Sequence, residues 1–251
     1  MAKSAIPSFK VTPGSVKIGK TVYNSSPQGI GNLRQLRRAD YGQSFRQGTF
    51  GENLTIAHAG YIHRESEDAE IRKYARQIVR QITDVIKGGI LGDTVAYGGG
   101  KNSKLIFAQD HPLIRGGQIV MDPKVLESRL GSHQEGEVIF GTHGVRAMPR
   151  KCAPNPKWEI LPAEIRDSYL ILLTGDGQAP EKTAQITEKM GRLIFASAVP
   201  SRTRILVPVL VEEDIGFRLE GDGWNDGSRS LDLNGDPEFE YYGRSSFGVR
   251  Q

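Results

Sequence analysis

The sequence predicts an α+β protein in which a mixed or antiparallel β-sheet packs on one long amphipathic helix. Three observations support this class: a helical pattern over residues 66–87, several short β-like segments bounded by turn residues, and the composition of a folded chain. The 251 residues are 37% hydrophobic and 25% charged, and their 30 glycines indicate many turns. We also expect two or three shorter helices and an extended basic N-terminal arm.

The helix over residues 66–87 is the clearest local prediction. Ser66 can cap its first turn, acidic residues follow at the positive end of the helix dipole, and Gly88-Gly89 end it. Its apolar residues recur at spacings of three and four, as on one buried face: Ile71, Tyr74, Ala75, Ile78, Val79, Ile82, Val85 and Ile86. The opposite face carries an arginine row that is either a solvated surface or a contact for an anionic partner.

Residues 1–48 are the predicted arm. Short β-like pieces alternate there with turn residues such as Pro13-Gly14, and the apolar content is too low for an independent core. Residues 1–50 contain eight Lys or Arg against one acid, whereas residues 201–251 contain six arginines against ten acids. This asymmetry suits an arm that contacts nucleic acid, a neighbouring subunit or the acidic end of the chain itself.

Arginines supply the candidate binding residues. Four of them cluster near Tyr41 and Phe45, and arginines beside aromatic rings can hold phosphates and stack on bases. The same cluster equally suits a contact with a protein surface. Together with the row on the long helix, the candidates for nucleic-acid or partner binding are Arg34, Arg37, Arg38, Arg46, Arg72, Arg76 and Arg80.

Residues 49–251 are predicted to form a single α+β domain. Four prolines in residues 147–162 mark a long loop or an internal boundary. Residues 221–238 are acidic and rich in turn residues. The expected strands are residues 104–108, 137–140, 169–174, 204–211, 215–219, 239–242 and 247–249. The expected shorter helices are residues 122–130 and 180–192.

Residues Gly14 to Thr21 match the phosphate-loop pattern GxxxxGK[ST]. The pattern binds phosphate because the loop amides and the N-terminus of the following helix converge on the anion. Here β-forming residues and Pro27 follow the pattern, so the required helix is missing. We therefore do not expect a nucleotide site at Lys20.

The remaining chemistry is dispersed. None of the five histidines has the spacing of a metal site, and the close acid–histidine pairs are Asp110-His111 and His133 with Glu135. Neither pair has an evident nucleophile in the sequence, and the single cysteine, Cys152, has no evident base. We therefore expect no catalytic residue, no cofactor and no metal.

Composition also limits the location of the protein. No run of 18 apolar residues predicts a membrane helix, and residues 1–10 lack the apolar core of a secretory signal. One cysteine forms no internal disulfide, which suits a reducing compartment. We expect a protein of the cytoplasm, or of an assembled particle, without a membrane partner.

These observations favour a non-enzymatic structural or assembly protein whose arm contacts a neighbouring subunit or nucleic acid. A virion or other particle component is the concrete form of this hypothesis, with a homo-oligomer or larger assembly as its expected state. One alternative is a nucleic-acid-binding protein that uses the arginine clusters. Another is a nucleotide-dependent or hydrolytic enzyme that uses Lys20 or the region of His111, His133 and His143.

Overall fold

A computed structural model describes residues 8–29, 33–83, 90–97, 104–115, 118–120, 122–152, 163–189, 213–220, 230–236 and 245–250. These residues form two antiparallel sheets, a separate two-stranded ribbon and six α-helices. The α+β class and the antiparallel form of the sheet are therefore confirmed. The described helices outnumber those expected from the sequence.

The helices are α1 (Leu33–Arg37), α2 (Phe50–His63), α3 (Ala69–Thr83), α4 (Pro123–Ser128), α5 (Ala163–Thr174) and α6 (Ala179–Lys189). The first eight strands are β1 (Phe9–Thr12), β2 (Ser15–Ile18), β3 (Thr21–Asn24), β4 (Arg46–Gln47), β5 (Ile90–Tyr97), β6 (Leu105–Asp110), β7 (Leu113–Arg115) and β8 (Gln118–Val120). The others are β9 (Leu130–Glu135), β10 (Val138–Gly141), β11 (Val145–Pro149), β12 (Glu213–Glu220), β13 (Ser230–Asp236) and β14 (Gly248–Arg250).

The larger sheet has the strand order β13-β12-β5-β6-β11-β10-β9, and the smaller one has the order β1-β2-β3-β14-β4. Helix α2 lies against β5 and also contacts α3, α5 and α6. Phe50, Leu54 and Ile56 of this helix are among the largest fully buried side chains of the described residues. The centre of the core is therefore α2, which the sequence analysis did not predict.

Helix α2 begins with a capping box. Thr49 Oγ1 accepts the N–H of Glu52 at 3.2 Å, and Glu52 Oε2 accepts the N–H of Thr49 at 2.7 Å. Glycine at position 51 permits a close contact with α5, because a Cβ there would lie 2.2 Å from the carbonyl oxygen of Thr174. Ten of the 14 residues are buried, so the helix has no broad polar face to produce an amphipathic pattern.

Helix α3 occupies part of the range predicted as residues 66–87. Asp68, rather than Ser66, caps its first turn, since Asp68 Oδ1 accepts two amide N–H groups at 2.8 and 3.1 Å. Ile78 of the expected apolar face is fully buried. Residues 84–89 lie outside the described part of the chain, so the predicted glycine stop stays a prediction.

The smaller sheet contains most of the described residues before Ser25. Phe9, Val16, Ile18 and Tyr23 are buried and belong to the same hydrophobic core as α2. The extended basic arm predicted over residues 1–48 is therefore not confirmed. The apolar content of this region is sufficient for packing because alternate residues of each short strand face the core.

The apolar run at residues 169–174 was predicted as a strand, and this prediction is wrong. The run forms the second half of α5, where Tyr169 to Thr174 are buried. A short apolar run has the same appearance in a buried strand and in a helix buried on all sides, and periodicity does not separate them.

Several other predictions agree with the structure. The expected helices near residues 122–130 and 180–192 correspond to α4 and α6, and strands β6, β10, β12 and β14 overlap expected strands. Residues 230–236, which were expected to be turns, form β13. The expected strands at residues 204–211 and 239–242, and residues 153–162 of the predicted boundary, lie outside the described residues. No helix that the structure describes is long and apolar enough to span a bilayer.

Candidate functional site: a basic row on the smaller sheet

Two of the candidate arginines form ion pairs inside the protein. Arg37, the last residue of α1, donates from Nε to Asp93 Oδ1 at 2.7 Å. Arg46, on β4, donates from both terminal nitrogens to the carboxylate of Glu52, each at 2.8 Å. Burial acts to raise the pKa of Glu52, but the hydrogen bonds from Arg46 and from the Thr49 amide hold that pKa below its usual value. Internal carboxylates therefore engage both guanidinium groups.

Two arginines of α3 contact the segment that precedes the helix. Arg72 Nη1 donates to the carbonyl oxygens of Ser66 and Glu67. Arg76 Nη2 donates to Glu65 Oε2 at 2.7 Å, in an ion pair whose side chains are both more than half exposed. Such exposed pairs contribute little to stability. These arginines of α3 therefore bind the segment that precedes the helix, and Arg76 also faces solvent.

The structure describes the side chains of only two of the other three candidate arginines. The side chains of Arg38 and Arg80 are exposed. Arg34 lies in α1, and its side chain is outside the described part of the structure. The role of the seven arginines in partner binding stays a prediction.

A buried polar network lies at the N-terminus of α2. Arg146 binds the carboxylate of Asp110 through two hydrogen bonds of 2.6 and 3.0 Å. Its Nε also donates to the carbonyl oxygen of Leu172 near the C-terminal end of α5, at 2.7 Å. Thr94 Oγ1 donates to Asp110 at 2.6 Å and accepts the N–H of Phe50 at 3.0 Å. These bonds join the central strands to two helices, which is a structural role.

His111 is the best-placed residue for proton transfer. Its Nδ1 lies 2.7 Å from Oδ2 of Asp93, and Arg37 binds the other oxygen of that carboxylate. The Asp93 side chain is 6% exposed, whereas the imidazole is 40% exposed. A carboxylate that accepts from Nδ1–H fixes the ring orientation and leaves the lone pair of Nε2 as the acceptor of the ring. No hydroxyl or thiol of a described residue is hydrogen-bonded to this imidazole, so a nucleophile is not evident in the described residues.

The other groups considered for chemistry lie apart from Asp93. His133 is on the exposed strand β9, where its ring centroid is 5.2 Å from that of Phe140. Burial, and then the neighbouring Glu137, raise the pKa of the Cys152 thiol, which opposes nucleophilic reactivity. Among the described residues, no group of three or more His, Cys, Asp or Glu could hold a metal ion.

The outer face of the smaller sheet carries a line of basic residues that the sequence analysis missed. Lys10 on β1 lies directly opposite Lys17 on β2, and Lys17 lies opposite Val22 on β3. Val22 in turn lies opposite Arg250 on β14. Residues directly opposite each other in a sheet point to the same face. We call these four residues, Lys10, Lys17, Val22 and Arg250, the basic row.

The three charged residues of the basic row are exposed to solvent. Lys10, Lys17 and Arg250 are exposed, and none of them forms an ion pair with a described residue. The segments 8–29 and 245–250 contain no Asp or Glu. The row crosses three strand spacings, so its Cα atoms span about 14 Å.

An aromatic ring extends the basic row at one end. The guanidinium carbon of Arg250 lies 4.9 Å from the ring centroid of Phe45, which precedes β4. The alternation of Lys10 with the buried Phe9, and of Lys17 with the buried Val16 and Ile18, was visible in the sequence as period two. The strand register that places the two lysines in line with Arg250 is not evident from the sequence.

The phosphate-loop pattern does not form a phosphate loop. Gly14 and Gly19, both with positive φ, lie in the turns at opposite ends of β2, and β3 follows Lys20 in place of a helix. The backbone amides between the glycines belong to a strand, so they do not converge on one anion. Lys20 is an exposed residue of the β2–β3 turn.

No protein-family model, no curated protein and no solved structure matches this chain.

Proposed function

We propose that this chain is a non-enzymatic structural protein that binds the phosphate backbone of nucleic acid through the basic row. The observation that carries the proposal is the register of Lys10, Lys17 and Arg250, which places three exposed cations in one line on one face. None of the three forms an ion pair with a described residue. Phosphates of a nucleic-acid strand also form a line of charges, and cations that neutralise them release condensed counterions.

The position of the charges within the sheet distinguishes this role from protection of a sheet edge. Natural proteins place lysine on edge strands to prevent pairing with another chain, and Lys10 lies on the edge strand β1. Lys17 and Arg250 lie on β2 and β14, which have a neighbouring strand on both sides. Lys17 has a paired residue on each side, Lys10 and Val22, so protection of an open edge does not account for its charge.

The energetics of the pair Lys10 and Lys17 point the same way. Like charges directly opposite each other in an antiparallel sheet are destabilising, by an amount on the order of 0.2–1 kcal/mol. A phosphate bound between the two ammonium groups would convert this repulsion into attraction. The pair therefore suits a surface whose normal state is bound to an anion.

Nucleic acid fits the row better than a discrete small anion. The span of about 14 Å corresponds to roughly four base-pair rises of about 3.4 Å along a duplex axis, so a single strand offers several phosphates over this length. Lysine and arginine that bind phosphate fix the position of a strand but carry no base information. We expect binding that depends little on base sequence.

Fluorescence anisotropy with a labelled oligonucleotide of about 20 nucleotides tests this function directly. Three phosphate contacts predict a slope of about −2.7 for log K against log salt on duplex DNA, or an affinity loss of roughly 40-fold between 50 and 200 mM salt. Lys17→Gln should weaken binding, whereas the matched control Lys124→Gln, at an exposed lysine of α4, should not. Absence of binding at low salt would end the proposal.

Assembly into a particle remains the larger form of this proposal. A particle component would bind nucleic acid with many copies and would also associate with itself. Size-exclusion chromatography with light scattering, with and without oligonucleotide, measures whether the chain associates with itself. A strictly monomeric chain under both conditions would remove the particle hypothesis while leaving nucleic-acid binding in place.

A further inference from the structure

The basic row is built from two distant parts of the chain. Lys10, Lys17 and Val22 come from the first three strands, whereas Arg250 comes from β14, the last described strand. Strand β14 lies between β3 and β4 and pairs with both. The smaller sheet is continuous only because β14 fills this position.

The segment 245–250 enters a slot that holds it by specific contacts. Asn53 of α2 is fully buried, and its Oδ1 accepts the N–H of Phe247 at 3.2 Å. Its Nδ2 lies 3.3 Å from both the hydroxyl oxygen of Ser246 and the carbonyl oxygen of Gly48. The N–H of Gly48 donates in turn to the carbonyl oxygen of Phe247 at 2.9 Å. One buried amide thus connects the core helix, the slot and the strand.

The fit of this strand leaves no room for larger residues. Phe247 and Val249 are fully buried. A Cβ on Gly248 would lie 2.5 Å from Asn24 Nδ2 and 2.9 Å from the Cβ of Tyr41. The slot therefore requires glycine between two apolar residues, which is the order found in this segment.

We infer that docking of the segment 245–250 and binding of nucleic acid to the basic row are thermodynamically coupled. The inference rests on the proposed function. If β14 leaves its slot, the row loses the cation of Arg250, and β3 loses the neighbour that separates it from β4. Nucleic acid therefore binds the docked form more tightly, and by linkage its binding favours docking by the same factor. The segment 245–250 thereby controls whether the binding face is complete.

Amide hydrogen exchange on the full chain tests the coupling. If opening of β14 abolishes binding, an oligonucleotide at about 100 times Kd should slow exchange of the Phe247 to Arg250 amides by about 100-fold. Amides of the β9–β10 hairpin serve as the reference, because this hairpin belongs to the larger sheet and its local opening leaves the basic row intact. The coupling is wrong if the β14 amides exchange at the same rate with and without bound oligonucleotide, or if the β9–β10 amides slow by as much as those of β14.

Gly248→Ala supplies an independent measurement, since it changes no charge but crowds the slot. We expect its oligonucleotide affinity to fall at least as far as that of Arg250→Gln, while its far-UV circular dichroism stays close to that of the parent chain. Parent-like affinity of Gly248→Ala would contradict the coupling. Failure of the parent chain to bind oligonucleotide would instead contradict the proposed function, so the two failures are distinguishable.

Discussion

Replacement of Lys17 by threonine should make the protein more stable and its nucleic-acid binding weaker. Lys17 lies directly opposite Lys10 on the exposed face of the smaller sheet, and neither ammonium group has an acidic partner among the described residues. Threonine removes one charge of this repulsive pair and is itself a good strand former. The opposite signs of the two effects follow from a surface adapted to an anion.

The expected magnitudes follow from the same contact. Removing the repulsion should raise the free energy of unfolding by about 0.2–1 kcal/mol at low salt. For a chain of this size, that corresponds to an increase of at most about 4 °C in Tm. Loss of one phosphate contact should reduce the magnitude of the salt slope of duplex binding by about 0.9. The stability gain should shrink as salt screens the two ammonium groups.

Urea unfolding and fluorescence anisotropy measure the two effects on the same preparation. Val22→Thr is the matched control, because Val22 lies opposite Lys17 in the basic row and carries no charge. This control should leave the salt slope unchanged. A Lys17→Thr variant that is less stable, with parent-like affinity, would show that Lys17 stabilises the sheet and would refute the reasoning.

Three further predictions concern the core. Arg146→Met removes the buried guanidinium group that pairs with the partly buried carboxylate of Asp110, and it should lower the free energy of unfolding in urea by up to about 3 kcal/mol. Burial holds the pKa of His58 in the folded chain below its unfolded value, so the unfolded chain binds more protons. The free energy of unfolding should therefore fall as pH drops below about 6.5. His58→Gln should weaken this pH dependence of thermal unfolding. Gly51→Ala places a Cβ 2.2 Å from the Thr174 carbonyl oxygen and should lower Tm. A parent-like free energy of unfolding for Arg146→Met, or a parent-like Tm for Gly51→Ala, would contradict the contact assigned to that residue. An unchanged pH profile for His58→Gln would contradict the assigned effect of burial on His58.

The sequence was informative where local signals and burial agree. Helix α3 has an apolar face, a charged face and an acidic first turn. Its predicted start at Ser66 lies within a few residues of the observed start at Ala69. Helix α4 was predicted from Asp122 and Pro123, and Asp122 does accept the N–H of Lys124 at 2.9 Å. Such elements need little information from distant parts of the chain.

The most buried helices carried no such signal. Helix α2 is buried on most sides, so its sequence lacks an amphipathic period. Its second residue is Gly51, and glycine is a poor helix former. Its capping box, Thr49 with Glu52, was present in the sequence and is the signal that could have located its start. Helix α5 was mistaken for a strand because its apolar run Tyr169 to Thr174 suits both structures.

The candidate site depended on pairings between distant residues. The basic excess of the first 50 residues was evident, but the sequence did not show that Asp93 and Glu52 engage Arg37 and Arg46. It also did not show that Arg250 joins the lysines of β1 and β2, because this depends on the insertion of β14 beside β3. Strand register over more than 200 residues is a tertiary property.

Lysine modification with mass spectrometry, with and without bound oligonucleotide, tests the location of the binding face most directly. We predict that oligonucleotide protects Lys10 and Lys17, which lie in the basic row, while the exposed Lys73 and Lys124 on α3 and α4 react as before. Protection of the helix lysines with unchanged reactivity of Lys10 and Lys17 would contradict the central claim that this sheet face binds the phosphate backbone.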